Sequence, residues 1–228
     1  METQIAYISS LVGDPVRSSV LWQLLDGRAY TASELATGAA TSPQNISMHL
    51  GKLLRANLLA VESQGRHRYY RFARQEVAYA IEALANLVPA NTRPNAPHQD
   101  ADTAIRYCRS CYDHLAGKIG VLIADNLLKE KIIRLPAQAY TLTPKGQSFF
   151  EGLGIDIGTL QQQRRAFARP CLDWSERKYH LSGSLGAALL SQMLERDWLR
   201  RTKHSREMIV TAKGRKALKE HFRIETRE

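Results

Sequence analysis

Cys108, Cys111 and His114 stand at Cys-x2-Cys-x2-His spacing, and Cys171, Asp173, Trp174 and His180 form a second reactive group further along the chain. Thiols and imidazoles ligate metals and carry redox chemistry. On a straight helix each i+3 step turns the side chain by about 60°, so Cys108 and His114 would point about 120° apart and could not close on one ion with Cys111. No second Cys-x-x-Cys or His-x3-His completes a tetrahedral set, so neither a metal nor a cofactor is expected. A thiol sensor or a ligand pocket remains. Cys111-Tyr-Asp113 is echoed by Cys171-Leu-Asp173, and Cys108, Cys111, Asp113, His114, Cys171, Asp173, Trp174 and His180 are the candidate lining of an effector or thiol site. A reactive thiol there needs exposure and a nearby cation such as Arg106, Arg109 or Arg169. The plainer alternative is that these cysteines are small buried hydrophobes.

The echo belongs to a longer repeat. Residues 113–120 read DHLAGKIG and residues 179–186 read YHLSGSLG; aligning His114 on His180 brings Leu142-Thr-Pro-Lys-Gly146 onto Val210-Thr-Ala-Lys-Gly214, with two extra residues in the second copy. Between these blocks, Asn126-Leu-Leu-Lys-Glu-Lys-Ile-Ile133 matches Gln192-Met-Leu-Glu-Arg-Asp-Trp-Leu199, and both echo Lys52-Leu-Leu-Arg-Ala-Asn-Leu-Leu59. Each reads as a helix ending in a turn and an apolar strand start. Residues 104–228 are therefore expected to hold two tandem winged-helix-like repeats, about 104–155 and 170–224. Gly117/Gly120 and Gly183/Gly186 lie three apart on expected helices, where a missing side chain lets another backbone or a ligand approach; packing of the repeats against each other is the favoured reading.

The elements that would position a DNA reader lie earlier. Ile5 to Val12 and Val16 to Leu25 read as helices, the second opened by Asp14 as N-cap and Pro15 at the first helical position. Thr31-Ala-Ser33-Glu34-Leu35-Ala36 starts a third. Thr41-Ser42-Pro43 opens a fourth, with Ile46, Leu50, Leu53 and Leu54 inward and Gln44, Asn45, Met48 and Lys52 outward. Leu58 to Glu62 and Arg68 to Phe72 flank a turn at Gly65, giving a basic hairpin, and Gln75 to Leu87 closes the unit with Val77, Ile81, Leu84 and Val88 on one stripe. Helix, short helix, capped polar helix and hairpin make a winged helix-turn-helix over residues 1–88. Ser42, Gln44, Asn45, Ser47, His49 and Lys52 are the candidate groove-reading residues, and Arg66 and Arg68 the candidate backbone contacts of the wing.

The run Val12-Gly13-Asp14-Pro15-Val16-Arg17, then Glu34-Leu35-Ala36, Ser47-Met-His49-Leu50 and Gly65-Arg66-His67-Arg68-Tyr69-Tyr70, resembles the ArsR (arsenic repressor) family of bacterial regulators over roughly residues 5–88. The resemblance implies a homodimer joined through the first and last helices of that unit, a pseudo-palindromic operator in double-stranded DNA, and release when an effector binds. Metal-sensing members carry Cys-x-Cys at the third helix or an Asp/His set on the last one. This chain has Thr31-Ala-Ser33-Glu34 at the first place and no His or Asp within Gln75 to Leu87, so metal sensing is not carried over.

The fold class expected is thus mainly α with small β-hairpin wings. Pro89, Pro94 and Pro97 fall in a stretch with little that is apolar, which places a linker at 89–103. The 228 residues carry a net charge of +10, with 9 Lys and Arg against 8 Asp and Glu in residues 1–100 and 23 against 14 in 101–228. That balance favours a polyanionic partner, yet DNA binding by the first half must rest on geometry rather than bulk charge. No apolar run reaches the roughly 20 residues that span a bilayer, and the start lacks a secretory pattern, so a cytoplasmic protein with reduced thiols and no membrane partner is expected. No nucleophile, base and oxyanion site can be named together, which argues against an enzyme. The competing readings are a tandem winged-helix scaffold for other proteins and a thiol-redox protein.

Overall fold

A computed structural model describes residues 1–87, 104–203 and 205–226. The chain divides into two compact units, Met1–Gln99 and Asp100–Glu228. The expected linker at 89–103 and Val88 lie outside the described residues.

In the first unit, α1 (Glu2–Val12) is followed by α2 (Pro15–Gln23). Asp14 accepts a hydrogen bond from the Arg17 backbone N–H at 3.0 Å, and Pro15 occupies the first turn, where its missing N–H costs nothing. A 3-10 turn, Leu24–Asp26, leads to β1 (Tyr30–Thr31) and α3 (Ala32–Gly38), which opens with a capping box between Thr31 and Glu34. Helix α4 (Pro43–Arg55) is capped by Ser42, whose hydroxyl accepts from Asn45 N–H at 3.2 Å. The wing is β2 (Leu59–Gln64) against β3 (His67–Phe72), with Gln64 opposite His67 across a Gly65-Arg66 turn, and β1 joins on the far side of β3. Helix α5 (Gln75–Leu87) ends the unit. Leu11, Leu21, Leu25, Leu35, Ile46, Leu50, Leu53 and Val77 form its core.

The second unit has one core, fed by both repeats. After a short helix α6 (Ala104–Tyr107), the first repeat runs β4 (Arg109–Cys111), β5 (His114–Ala116), α7 (Gly117–Lys129), β6 (Ile133–Arg134), β7 (Thr141–Leu142) and α8 (Pro144–Gly152). The short helix α9 (Ile157–Gln161) connects it to the second, which runs β8 (Arg169–Leu172), β9 (Tyr179–Ser182), α10 (Gly183–Glu195), β10 (Leu199–Arg201), β11 (Met208–Val210) and α11 (Ala212–Phe222). Each repeat keeps the helix, wing and helix of the first unit but is entered by a β-hairpin where a helix-turn-helix would have two more helices.

The echoed sequence LLRANLL, LLKEKII and MLERDWL has one physical cause. Asn57, Lys131 and Asp197 all adopt left-handed φ values of 54–57° just past their helices. The next N–H then reaches back across the last turn, from Leu58 to Leu53 O, Ile132 to Leu127 O and Trp198 to Met193 O, at 2.8–3.0 Å. This is a Schellman end, used three times to turn a helix into a wing. Thr143 and Thr211 then start the following helices alike, each hydroxyl accepting from the glycine N–H three residues on.

The repeats also exchange contacts. Met208 N–H donates to Cys108 O at 2.9 Å, and in the reciprocal position Tyr140 N–H donates to Ala168 O at 3.1 Å. Each of these bonds ends on the residue that leads into the entry hairpin of the other repeat.

Candidate functional site

Helix α4 presents Gln44, Ser47 and Met48 to solvent, with Asn45 and Lys52 half-buried. Asn45 Nδ2 donates to Thr41 Oγ1 at 2.7 Å and Ser47 Oγ to Pro43 O at 2.9 Å, while Ser42 is spent on the cap. Gln44 is thus an exposed bidentate group on this face with no such local commitment shown. His49 corrects the expected reading set. It is buried, with Nδ1 3.3 Å from Asp14 Oδ1 and 3.5 Å from Arg17 Nη1. Its position three residues after Ile46 and beside Leu50 turns it inward, where it joins α4 to the start of α2. Arg17 completes this joint by donating through Nε to Leu11 O at 2.6 Å and through Nη2 to Ser10 O at 2.9 Å, satisfying carbonyls at the end of α1. Asp14 is held below the usual carboxylate range by the Arg17 backbone hydrogen bond and, against the cost of burial, by the Arg17 and His49 charges.

On the wing, Arg66 and Arg68 are exposed, Arg68 lying 5.9 Å over the Tyr70 ring, whereas Arg71 is paired with Glu62. Leu84 departs from the expected inward stripe of α5 and is exposed, as are Leu87 and, on α1, Ile5 and Tyr7.

The second candidate site lies where the repeats meet. Cys108, Cys111 and His114 are not on a helix: Cys111 and His114 are cross-strand partners on β4 and β5, joined by Tyr112-Asp113 with Tyr112 at φ 59°. Cys171 and His180 are cross-strand partners on β8 and β9 in the same way. Cross-strand pairs bring side chains together that helical spacing would splay apart. Cys108 is left out, since it is fully buried in the core.

The glycine heptads build this junction. Gly117 and Gly183 start α7 and α10 at φ 76° and 85°, where an added Cβ would stand 2.6 Å from Arg106 O and 2.7 Å from Ala166 O. A Cβ on Gly120 would meet Leu115 O at 2.6 Å and His180 Cβ at 3.6 Å; on Gly186 it would meet Leu181 O at 2.5 Å and His114 Cβ at 3.3 Å. Each helix therefore packs on its own hairpin and on the histidine of the other repeat, which is the packing role the sequence favoured.

The result is a pair of facing imidazoles. His114 Nε2 and His180 Nε2 are 3.1 Å apart, and one ligand atom each from Cys111, His114, Cys171 and His180 lies within 4.8 Å of the others. Behind them stand carboxylates: Asp113 Oδ1 is 3.2 Å from His114 Nδ1, and Asp173 Oδ2 is 3.4 Å from His180 Nδ1. Asp113 is paired with Arg165 at 2.5 Å. Asp173 receives both Arg109 hydrogen bonds at 2.9 Å, together with the N–H groups of Gly117, Ser175 and Glu176. Trp174 sits outside this donor group and stacks on Arg109, 4.8 Å from its guanidinium carbon.

The electrostatics follow. Burial works against ionised Asp173, but His180, Arg109 and Ser175 overcome it and hold the carboxyl far below its usual range. Burial alone would lower the His180 pKa, yet Asp173 and the Cys111 sulfur move it upward. The Cys111 thiol is pushed up to about 11, first by hydrogen bonding with Cys171 and then by burial, with His114 and His180 acting the other way. Burial pushes Cys108 to about 12. Of the cations expected to favour a thiolate, Arg109 is turned to Asp173 and Arg106 lies 5.6 Å from the Trp174 ring. Neither Cys108 nor Cys111 has the depressed pKa of a reactive sensor thiol.

Two helices, a capped helix with a polar exposed face and a two-stranded wing define the first unit as a winged helix-turn-helix, a DNA-binding class. A family profile described as a helix-turn-helix domain matches residues 12–62. The chain is 43% identical over 224 residues to the HTH-type transcriptional regulator YdfF of Bacillus subtilis (strain 168), covering 98% of this chain and 99% of that protein. The chain belongs to the HTH-type transcriptional regulators. It is also 32% identical over 89 residues to the HTH-type transcriptional regulator CmtR of Mycobacterium tuberculosis, covering 39% of this chain and 75% of that protein. Among solved structures it is similar to the cadmium metal-sensor CMTR from Mycobacterium tuberculosis, at 27% identity over 42% of this chain and 99% of that one with a TM-score of 0.32. HlyU from Vibrio cholerae N16961 is similar at 24% identity over 38% and 92%, with a TM-score of 0.35. Among the described residues no helix is long and apolar enough to cross a membrane.

Proposed function

We propose that the protein is a homodimeric repressor that grips a pseudo-palindromic operator through α4 and the wing of each protomer, and is released when the second unit senses an effector. The observation that carries this reading is the pairing of an exposed polar α4 face with an exposed arginine wing in one compact unit. Gln44 presents the bidentate amide that suits adenine in the major groove, and Ser47 and Lys52 flank it. Arg66 and Arg68 supply the phosphate contacts that set register without reading bases.

Dimerisation is supported by Ile5, Tyr7, Leu84 and Leu87, apolar side chains left exposed on α1 and α5. Such side chains on the two helices flanking the reader are covered when a second copy packs there, and a two-fold dimer gives two reading helices one groove turn apart. The sensor is assigned to the second unit because its repeats meet at a buried cluster of Cys111, His114, Cys171 and His180, whereas the first unit offers no comparable group among its described residues.

A gel shift of the full chain on the DNA upstream of its own gene tests the reading. A discrete complex that competes away with the same duplex but not with an unrelated one is expected; no complex at any protein concentration would overturn it. Deleting residues 90–228 locates the sensor. A shortened chain that binds but no longer responds to any inducer of the full chain places sensing in the repeats, and a shortened chain that responds in full removes it from them.

A further inference from the structure

The two histidines at the repeat junction are oriented for a common occupant. With each Nδ1 facing a carboxylate, Asp113 for His114 and Asp173 for His180, the ring hydrogen is drawn to Nδ1 and the Nε2 lone pair is left pointing inward. Two such lone pairs at 3.1 Å repel unless something positive lies between them. The only hydrogens that Cys111 and Cys171 bring to the group are thiol protons, which are weak donors. A proton shared between the imidazoles would satisfy the nitrogens, but it would not use the two sulfurs that converge on the same place.

We propose that Cys111, His114, Cys171 and His180 form a tetrahedral Cys2His2 site for a divalent ion of the zinc class, clamping the two repeats together. The size fits. Zinc–nitrogen distances of about 2.0–2.1 Å and zinc–sulfur distances of about 2.3 Å give tetrahedral edges of about 3.3–3.8 Å, against donor atoms that all lie within 4.8 Å. Two soft thiolates with two imidazoles select zinc over magnesium or calcium, which prefer oxygen. The charge also balances. Binding releases the two thiol protons, the two thiolates neutralise the dication, and the outer carboxylates are already matched by Arg165 and Arg109. The carboxylates do for the histidines what outer partners do in metal sites, fixing ring orientation and tautomer. The site lies wholly within the second unit, so it stands independently of whether the first unit reads DNA.

The test uses the full chain, reduced and stripped with a chelator, titrated anaerobically with cobalt chloride. One equivalent per chain should produce the thiolate-to-cobalt charge-transfer band and the intense visible bands of a tetrahedral ion, and zinc chloride should abolish them mole for mole. Cys111→Ser and Cys171→Ser should each remove about half of the charge-transfer intensity and the double variant all of it, while Cys108→Ala should keep it. Zinc should also slow alkylation of Cys111 and Cys171 in the wild-type chain, a readout that needs no variant to fold. A reduced wild-type chain with three titratable thiols and no thiolate-to-cobalt band would overturn the site, as would a band that survives in the folded double variant.

Discussion

Asp173 is the residue on which the junction turns. Its carboxylate holds Arg109, which is itself buried, and also accepts from Gly117 N–H at the start of α7 in the other repeat. Removing one partner of a buried pair strands the other charge, so Asp173→Asn should cost about 3–5 kcal/mol in urea unfolding of the full chain; a loss under about 1 kcal/mol would mean that Arg109 is resolvated by water. Gln44 should behave in the opposite way, because it is exposed. Gln44→Ala should leave stability within about 0.5 kcal/mol but weaken operator binding by about 1–3 kcal/mol and relax preference at one base pair, as read by anisotropy on a panel of substituted duplexes. His49 shows what sequence can miss at this scale. A polar residue beside Leu50 reads equally as a base contact or as a buried partner, and only the fold brings Asp14 and Arg17 to it.

Elements with strong end signals were legible. Asp14-Pro15 and Ser42-Pro43 each marked a helix start that the structure shares, the run Thr31 to Ala36 marked another, and Gly65 marked the wing turn. The hairpin β4–β5 was not, for a physical reason. Its strands are three residues long and its turn is Tyr112-Asp113, with a tyrosine rather than glycine or asparagine in the left-handed position. A signal was nonetheless present: His114 aligns on His180, and Cys111-Tyr-Asp113 is echoed by Cys171-Leu-Asp173 six residues out of that register, which together double one Cys–His pair into two. At the same scale, Gly186→Ala drives a methyl into Leu181 O and against His114 Cβ, so a loss of about 1–3 kcal/mol is expected in thermal or urea unfolding. For the wing, Arg66→Ala with Arg68→Ala should lower the slope of log K against log salt by about 1.8 with little change in base preference. An unchanged slope would take the wing off the DNA.

At the scale of the molecule, charge and function are distributed unequally. Residues 101–228 carry +9 of the +10 net charge, yet the groove-reading geometry belongs to the first unit. Under the proposed function, specificity therefore comes from α4 and from the two-fold pairing of α4 helices rather than from bulk attraction. Replacing Ile5 and Leu84 by glutamate should shift the 25.7 kDa chain from dimer to monomer in analytical ultracentrifugation and abolish tight operator binding with it; a dimer that survives both changes would place the interface elsewhere. The most direct measurement compares the full-length chain on a duplex from its own upstream region with a scrambled duplex of equal length and composition, at physiological salt. Affinity for the upstream duplex should exceed that for the scrambled one by about 10³-fold or more, and Gln44→Ala should erode that ratio. Equal affinity for both duplexes would contradict a sequence-reading regulator and leave only a basic protein that binds polyanions.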